Sequence, residues 1–392
     1  MILRITYLEK KIVFITMEHK FWKTQPIEIS KSSVENKEIE TINIELVEKN
    51  PYTLPDKFEW YEFDMNNDID MIYNFLLSYY ADNPDVKTRF HYSKDFLKWF
   101  LLPPNYYKDL LIGIKFNNKI VATIFGIPMT IKLHDKVIKM IEINFLCIHN
   151  NLRNKRLAPI LIKEVTRRTN LHGIFQAFYT TAIDLPNTLM YANYHHRPLN
   201  IPKLIDLNIL VKPEKISLSG YSRLYKTLET TNINIRKIEE KDYEICCKLL
   251  NEFHQQFKIS ILFSQEEFNN HFIFRDNVIE SYVVENNNKI TDFVSFYYIP
   301  SKISNNPNHT EMKRAYIYYY FNTHTELDKL IDNGLYFMKK NQVDIVNCIK
   351  QYHNDKFIDK LKFIEGGAGL NFYLFNWSCP PIGASDMAII MV

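Results

Sequence analysis

Three basic side chains lie close together between a predicted strand and a predicted helix. Arg153, Lys155 and Arg156 follow an apolar run over 140–148 that is typical of a strand. The next helix is predicted to hold Pro159 in its first turn, where the missing N–H of proline costs nothing. The unpaired N–H groups of a helix start, together with three cations, favour the binding of a phosphate group. For the basic residues taken alone, a turn exposed to water is the simpler alternative.

The spacing of these residues indicates which phosphate-containing ligand the turn would bind. An Arg-x-x-Arg-x-Ala pattern, here Arg153 to Ala158, resembles the pyrophosphate loop of Gcn5-related acetyltransferases, in which backbone amides hold the pyrophosphate of coenzyme A. A carbonyl group held at the end of the preceding strand would meet backbone N–H groups. Such donors stabilise the oxyanion that forms during acyl transfer. The pattern therefore suits transfer of an acyl group from coenzyme A.

The elements that must position this site fall into two similar series. A strand followed by an amphipathic helix is predicted over 58–80, and the same order is predicted over 233–257. The first helix has four apolar residues at helical spacing: Ile69, Ile72, Phe75 and Leu76. Strand-like runs follow both segments, over 111–133, 281–300 and 315–322. The pattern indicates two similar α+β halves that meet near 218–231, although pattern alone leaves duplication and coincidence as equal alternatives.

Composition and charge argue against several classes of protein. The 392 residues carry 48 basic and 45 acidic side chains, a net charge of +3, whereas nucleic-acid-binding proteins usually show a clear basic excess. No apolar run approaches the ~20 residues of a membrane span. Charges interrupt the apolar pieces of residues 1–16, unlike a signal peptide, and this segment is predicted to be dispensable. Five cysteines without a CxxC pair or a histidine cluster predict a reduced cytoplasmic protein that holds no metal.

Longer motifs identify the family that the chain resembles. The segment 142–148, Glu-Ile-Asn-Phe-Leu-Cys-Ile, is similar to the signature of the N-myristoyltransferases, and the basic cluster continues that signature. Members of this family move a tetradecanoyl (myristoyl) group from coenzyme A to an N-terminal glycine. The resemblance covers nearly the whole chain from about His19. The other matching motifs keep the family's order and lie at 19–26, 51–55, 153–168, 173–177, 179–180, 196–197, 292–297 and 375–379.

The resemblance implies a mixed α/β (α+β) fold of two fused Gcn5-related acetyltransferase-like halves, with pseudo-twofold symmetry around a saddle-shaped sheet. We expect residues 17–220 to form an N-terminal half that binds myristoyl-CoA. Residues 221–392 are expected to form a C-terminal half that binds the peptide and returns its last residues to the active site. The acyl donor, myristoyl-CoA, is the one cofactor-like molecule that the resemblance implies. Its expected contacts are Lys20, Phe21, Trp22, Phe145, Leu146, Cys147, Ile148, Arg153, Asn154, Lys155, Arg156, Leu157 and Ala158.

The family's mechanism is direct attack of the glycine amine on the thioester. The resemblance gives Phe145 and Leu146 the role of donating backbone N–H groups to the thioester oxygen. The base is the terminal carboxylate, expected at Val392 because the length from Cys379 to the last residue matches that of animal members. Thr180 is expected to hold the amine, and Asn144 the substrate backbone. A nucleophilic Cys147 is the less favoured alternative, since the family needs no acyl-enzyme.

The peptide site resembles the family's site but departs from it in charge. The expected peptide contacts are Tyr80, Phe90, Tyr92, Asn144, Tyr194, His196, Ser295 and Gly366. Family positions that are acidic and receive a basic substrate side chain are here Asn83, Pro84, Lys350 and Gly367. Bulk is also added beside the amine at Thr181 and Ala182. We therefore expect this chain to have lost the usual preference for Lys or Arg several residues after the acceptor glycine.

The implied partners are N-terminal glycine peptides and nascent proteins that begin Met-Gly-x-x-x-Ser/Thr, with the Met removed first. Coenzyme A is the second product. We expect a monomer that binds no nucleic acid and has no transmembrane segment. The alternative function is a non-catalytic protein of the same fold that binds acyl-CoA or lipopeptides. A Gcn5-related enzyme acting on shorter acyl groups is a third candidate, and the breadth of the match disfavours it.

Overall fold

The computed structural model describes residues 21–27, 35–80, 88–304 and 306–392, so Lys20, Asn83 and Pro84 lie outside the described residues. No helix in the described part of the chain is long and apolar enough to cross a membrane. The helices there are α1 Ile69–Tyr79, α2 Lys94–Leu101, α3 Leu157–Leu171, α4 Ile201–Asp206, α5 Leu218–Leu224, α6 Tyr243–His254, α7 Gln265–Phe272, α8 Leu327–Lys340 and α9 Asp355–Ile358.

The strands of the same residues run from β1 to β19. They are β1 Lys37–Glu38, β2 Phe58–Glu62, β3 Thr88–Phe90, β4 Leu111–Phe116, β5 Lys119–Leu133, β6 Lys136–Ile148, β7 Ala177–Thr181, β8 Met190–Pro198, β9 Ile235–Lys237, β10 Ile259–Leu262, β11 Ile279–Asn286, β12 Lys289–Tyr298, β13 Ser301–Ile303, β14 Glu311–Met312, β15 Arg314–Asn322, β16 Ile345–Ile349, β17 Ile364–Phe375, β18 Trp377–Ser378 and β19 Met387–Ala388.

Apolar spacing explains where the helices lie. α1 buries the four residues that the helical spacing predicted, and α6 buries Cys246, Cys247 and Leu250. The two faces pack into the same hydrophobic core. α3 begins at Leu157, so Pro159 lies in its first turn as predicted. A repeating apolar face is therefore enough to place these helices against the sheet.

The two halves repeat one order of elements. The first half reads β2, α1, β3, α2, β4, β5, β6, α3, β7, β8, and the second reads β9, α6, β10, α7, β11, β12, β15, α8, β16, β17. In each, three antiparallel strands are followed by a helical crossover to a parallel strand, from β6 to β7 and from β15 to β16. The predicted α+β class with two similar halves is confirmed. The division after residue 220 falls inside α5 and stays a prediction.

The halves share one mixed sheet because each contributes strands to the other. β8 of the first half pairs with β16, β17 of the second half pairs with β7, and β8 and β17 pair with each other. In the same way β10 pairs with β5 in this sheet, and β3 pairs with β13 in a separate three-stranded sheet. In the described residues this large sheet has 14 strands. Because strands are exchanged, neither half could keep its sheet without the other.

A buried charged cluster fixes the N-terminal segment to α3. Glu164 is fully buried and accepts hydrogen bonds from Arg167 at 2.6 Å and from Arg168 at 2.7 Å. It also accepts one from the backbone N–H of Tyr52 at 3.1 Å. Burial raises the pKa of Glu164, but the hydrogen bonds from the two arginines outweigh burial and hold the pKa below its usual value. The carboxylate is therefore charged and satisfied, which is the condition for burying it.

The substitution Glu164→Ala should lower the free energy of unfolding by roughly 3–5 kcal/mol, because the buried guanidinium of Arg167 loses its counter-charge and Arg168 keeps only its ion pair with Glu62. Urea unfolding at pH 7 measures the change. Lys163→Ala is the control, since Lys163 is the exposed neighbour on the same helix and its loss should cost less than ~0.5 kcal/mol. Equal losses from the two substitutions would contradict the anchoring role of Glu164.

Candidate active site

A cavity of about 1310 Å³ opens where two parallel strands separate. β6 and β7 pair only from Ile141 opposite Ala177 to Ile143 opposite Tyr179. Beyond this point β6 continues beside β5, and β7 continues beside β17. Residues 144–148 and 179–183, which follow the separation on each strand, line the cavity. The site therefore lies at a break within the sheet rather than in a surface loop.

A β-bulge shapes β6 at the start of this break. Asn144 pairs with Phe125 and Cys147 pairs with Thr123, so two residues of β6 face one residue of β5. Phe145 has a φ of +52°, which is uncommon for a residue other than glycine. Its carbonyl accepts a 2.9 Å hydrogen bond from the buried Thr123 hydroxyl. A bulge takes residues out of the regular ladder, and this one lies where Phe145 and Leu146 line the cavity.

Aromatic contacts hold the bulged residue in place. The Phe145 ring is buried and lies 5.2 Å from the rings of both Tyr80 and Tyr92, measured between centroids. The Phe100 and Phe125 rings lie 6.1 and 6.0 Å away. Four aromatic neighbours supply contact energy that offsets a strained backbone of order 1–3 kcal/mol. The strain is thereby fixed at the residue expected to stabilise the oxyanion.

The turn before α3 places its basic residues unequally. Arg153 and Arg156 line the cavity together with Ala158, whereas Asn154 and Lys155 are exposed to solvent outside its wall. Arg153 donates hydrogen bonds to the carbonyls of Tyr79, at 2.7 Å, and of Ile148, at 3.3 Å. No side chain caps the start of α3, so its first N–H groups stay available.

Leu157, one of the residues expected to contact myristoyl-CoA, belongs to the hydrophobic core. The Leu157 side chain is buried against Leu110, Leu161 and their neighbours, so only its backbone faces the turn. Leu157 is the first residue of the buried face of α3, and its burial fixes the direction of the helix.

The C-terminal residues return to the cavity. β19 pairs in parallel with β10, and Gln351 donates a 2.7 Å hydrogen bond to the carbonyl of Ile389. The N–H of Ile390 donates to the Tyr319 hydroxyl at 2.9 Å. Met391 is buried, and both Met391 and Val392 line the cavity. Two hydrogen bonds and a strand pair thus fix the chain end instead of leaving it frayed.

Stacked rings form another part of the wall. Trp22 stacks on Tyr179 with centroids 5.6 Å apart, and Tyr179 stacks on Tyr373 at 5.1 Å. Phe21 lies edge-on to Trp22 at 5.2 Å, and both line the cavity. Lys20, which was expected to contact myristoyl-CoA together with Phe21 and Trp22, lies outside the described residues. Thr180, expected to hold the amine, lines the cavity beside Tyr179.

The structure brings most of the expected peptide contacts together but not all of them. Tyr80, Phe90, Tyr92, Asn144, Tyr194 and His196 line the cavity. Contrary to expectation, Ser295 does not reach it: its hydroxyl is fully buried and donates to the carbonyl of Tyr319 at 2.7 Å. Gly366 also lies behind the wall, where a Cβ atom would come within 2.4 Å of Nε2 of His196. Both residues therefore support the wall rather than form it.

The environment of Cys147 disfavours it as a nucleophile. Its side chain lines the cavity but is 3% exposed, and burial raises the pKa of the thiol to about 12. The thiolate is the reactive form of cysteine, so a pKa this high leaves almost none at neutral pH.

Sequence reasoning missed several residues of the wall. They include Gln176, which directly precedes β7, Tyr297 on β12, and Arg314 and Tyr316 on β15. Tyr297 and Tyr316 stack at 5.0 Å across the paired strands. Their strands are buried on both faces, so alternation of polar and apolar residues could not indicate which side chains face a cavity. Arg314, which follows Lys313 at the start of an aromatic strand, was the one available signal.

A buried acid lies behind the site on β6. The side-chain amide of Asn144 donates a 2.7 Å hydrogen bond to Glu142, which is 8% exposed. Burial raises the pKa of Glu142 to about 7. A folded-state pKa above the unfolded value means that Glu142 stabilises the fold fully below pH ~4.5 and loses that contribution as pH rises through about 7.

The substitution Glu142→Gln should therefore raise the thermal midpoint relative to the unchanged protein at pH 8 more than at pH 5. The differential free energy reaches up to ~3 kcal/mol, since each pKa unit is worth about 1.4 kcal/mol. Thermal unfolding at the two pH values measures it, with Glu59→Gln, an exposed carboxylate on β2, as the control. A difference between Glu142→Gln and the unchanged protein that does not vary with pH would contradict the shifted pKa.

Comparison with known proteins agrees with this geometry. The profile of the "Myristoyl-CoA:protein N-myristoyltransferase, N-terminal domain" matches residues 38–191, and that of the C-terminal domain matches residues 208–388. The chain is 40% identical to glycylpeptide N-tetradecanoyltransferase 1 of Arabidopsis thaliana, over 92% of this chain and 86% of that protein. It is 38% identical to the Plasmodium falciparum (isolate 3D7) glycylpeptide N-tetradecanoyltransferase, over 96% and 94%.

A solved structure resembles the whole fold. The crystal structure of Saccharomyces cerevisiae N-myristoyltransferase with bound myristoyl-CoA superposes with a TM-score of 0.92 at 33% identity. The match covers 96% of this chain and 99% of the yeast chain. With both family profiles matched and close to the full length covered, the chain belongs to the N-myristoyltransferase family.

Proposed function

We propose that this chain transfers the tetradecanoyl group of myristoyl-CoA to the amine of an N-terminal glycine. The observation that supports it best is the meeting of two features in one cavity. The bulge at Phe145 lies in its wall, and so do Met391 and Val392 at the chain end. Oxyanion donors and a carboxylate are the two groups that direct aminolysis of a thioester requires.

The reaction follows from the chemistry of these groups. An α-amino group has a pKa of roughly 8, so part of the glycine amine is neutral near pH 7. The amine nitrogen attacks the thioester carbonyl carbon, and the N–H groups at Phe145 and Leu146 stabilise the oxyanion. The terminal carboxylate of Val392 accepts the proton lost by the amine and passes it to the sulfur as the carbon–sulfur bond breaks, so that coenzyme A leaves as its thiol. Thr180 and Asn144 orient the amine and the peptide backbone.

The cavity suits both substrates. Its volume of about 1310 Å³ exceeds that of a typical single-ligand pocket, ~300–1,000 Å³. Aliphatic side chains from β5, β6 and α3, among them Ile124, Ile143 and Val165, provide an apolar wall for the acyl chain. Arg153, Arg156 and the start of α3 provide donors for the phosphates of coenzyme A.

The non-catalytic alternative fits these observations less well. A protein that only bound acyl-CoA or lipopeptide would not need a chain end fixed by the Gln351 and Tyr319 hydrogen bonds beside the cavity. A cytoplasmic location, a monomeric state and acylation of nascent proteins remain predictions from the sequence.

Deletion of Met391 and Val392 tests the proposed base. The release of coenzyme A from myristoyl-CoA, with a glycine-initiated octapeptide, should fall by ~10²–10⁴-fold, the usual contribution of a positioned proton acceptor. Binding of myristoyl-CoA should persist. The control is Val392→Ala, which keeps the chain length and the terminal carboxylate and should keep most of the turnover.

Two outcomes would overturn parts of this proposal. Full turnover after the deletion would exclude the terminal carboxylate as the base. If the full chain bound myristoyl-CoA tightly but turned over no glycine peptide, the non-catalytic binding function would replace the transferase.

Arg156→Met tests the phosphate contact. The Arg156 side chain is exposed and lines the cavity, so its loss should weaken myristoyl-CoA binding by about 10-fold, the value of one charge-assisted hydrogen bond. Fluorescence titration measures the dissociation constant. Lys155→Met is the matched control, since Lys155 is exposed outside the wall and should change the constant by less than about twofold. Equal effects of the two substitutions would show that only net charge matters.

A further inference from the structure

The cavity contains one cation that the proposed chemistry does not use. Arg314 begins β15 and is 7% exposed, and it lines the cavity on the wall formed by the second half. Its Nε atom is buried, and no described residue accepts a hydrogen bond from it. A buried charge is costly unless an anion or a set of acceptors compensates it. The unpartnered Nε atom of this buried guanidinium therefore indicates a ligand group.

The surroundings of Arg314 offer little compensation. Its guanidinium carbon lies 5.5 Å from the centroid of the Phe90 ring, a cation–π contact that is weak by comparison with an ion pair. Apart from the terminal carboxylate of Val392, which is proposed as the base, no carboxylate lines the cavity in the described residues. No ion pair joins Arg314 to a carboxylate of the described residues, and Glu365 accepts a 2.6 Å hydrogen bond from Asn193 instead.

The neighbouring histidine does not compete for an anion. His196 lines the same wall, and burial, together with the charge of Arg314, lowers its pKa to about 4 although the hydrogen bond with Asn347 opposes the shift. His196 is therefore neutral at pH 7. Its Nδ1 atom is hydrogen-bonded to Oδ1 of Asn347 at 2.7 Å. Arg314 is left as the charged group of this part of the wall in the described residues.

Arg314 lies within reach of a bound peptide. Ring contacts lead from Phe145 to Tyr92 at 5.2 Å, from Tyr92 to Phe90 at 6.3 Å, and from Phe90 to the Arg314 guanidinium at 5.5 Å. An extended peptide advances ~3.3–3.6 Å per residue. A peptide whose glycine amine lies at the Phe145 bulge therefore reaches Arg314 within a few residues of the glycine.

We propose that Arg314 is a specificity-determining residue that selects acceptor peptides with an Asp or Glu a few residues after the glycine. The inference rests on the proposed function and names the class of substrate. A carboxylate matches the planar fork of a guanidinium in two parallel hydrogen bonds, which gives both charge compensation and orientation. This preference goes beyond the expected loss of selection for Lys or Arg, because the favoured side chain now carries a negative instead of a positive charge.

A set of glycine-initiated octapeptides tests the preference. Each carries Asp, Asn or Lys at one position from the third to the seventh residue, with the rest unchanged. At one position kcat/KM for Asp should exceed that for Asn by about 10-fold or more, the value of a charge-assisted hydrogen bond. Lys at that position should be the poorest. A gain from Lys as large as that from Asp, or no gain from Asp at any position, would overturn the proposal.

Substitution assigns the preference to Arg314. In Arg314→Met the Asp-to-Asn ratio of kcat/KM should fall to about one, and in Arg314→Lys part of it should remain, because the charge stays but the fork is lost. Lys302→Met is the matched control: Lys302 lies on β13, the strand paired with the β3 residue Phe90, but outside the cavity wall. It should keep the full ratio. Equal loss in both variants would mean that long-range charge, not Arg314, selects the peptide.

A binding measurement separates this inference from the proposed function. Titration of the Asp and Asn octapeptides into the protein loaded with a thioether analogue of myristoyl-CoA reports selectivity without turnover. If the Asp peptide bound more tightly but neither peptide was acylated from myristoyl-CoA itself, the role of Arg314 would stand and the transferase would be rejected. If both peptides were acylated but bound equally tightly, the transferase would stand and the selectivity of Arg314 would be rejected. If Arg314→Met weakened Asp and Asn peptides equally, Arg314 would bind backbone carbonyls instead, which also rejects the preference.

Discussion

The separation of β6 from β7 is the constraint on which the rest of the site depends. Two parallel strands that pair over only three positions leave unpaired backbone groups, which a protein interior does not tolerate without partners. The bulge at Phe145, the Thr123 hydrogen bond and the aromatic rings around Phe145 stabilise this break. The same break opens the cavity and brings to its wall Phe145 and Leu146, the residues whose N–H groups the proposed chemistry needs. In the proposed mechanism, structure and catalysis rely on one irregularity.

The exchange of strands between the halves explains how distant residues meet there. β17 of the second half lies beside β7, and β10 of the second half lies beside β5. The wall of the cavity is therefore built from residues of both halves. β10 also pairs with β19, which directs the chain end toward the cavity. A terminal carboxylate is normally mobile, and fixing it requires the surrounding strands to be complete. We infer that the proposed base becomes positioned only when both halves have folded together.

Local signals predicted much of this from the sequence. The spacing of Ile69 and its partners placed α1, and the basic turn before Pro159 placed the start of α3. The bulge could not be predicted, because Phe145 adopts a positive φ that its residue type does not favour. Ser295 was expected in the wall and points elsewhere, because a strand buried on both faces has no alternation that reveals its orientation. Arg314 was missed for the same reason, since register decides what faces the cavity.

In the proposed reaction the acyl group passes directly from the thioester to the glycine amine inside this cavity. Mass spectrometry of one reaction tests it: the protein is mixed with myristoyl-CoA and a glycine-initiated octapeptide, beside the same peptide with Ala first. The structure predicts one myristoyl group on the glycine nitrogen, little on the Ala peptide, and a protein of unchanged mass. An acyl group retained on the protein at Cys147, or no acylated glycine peptide, would contradict it.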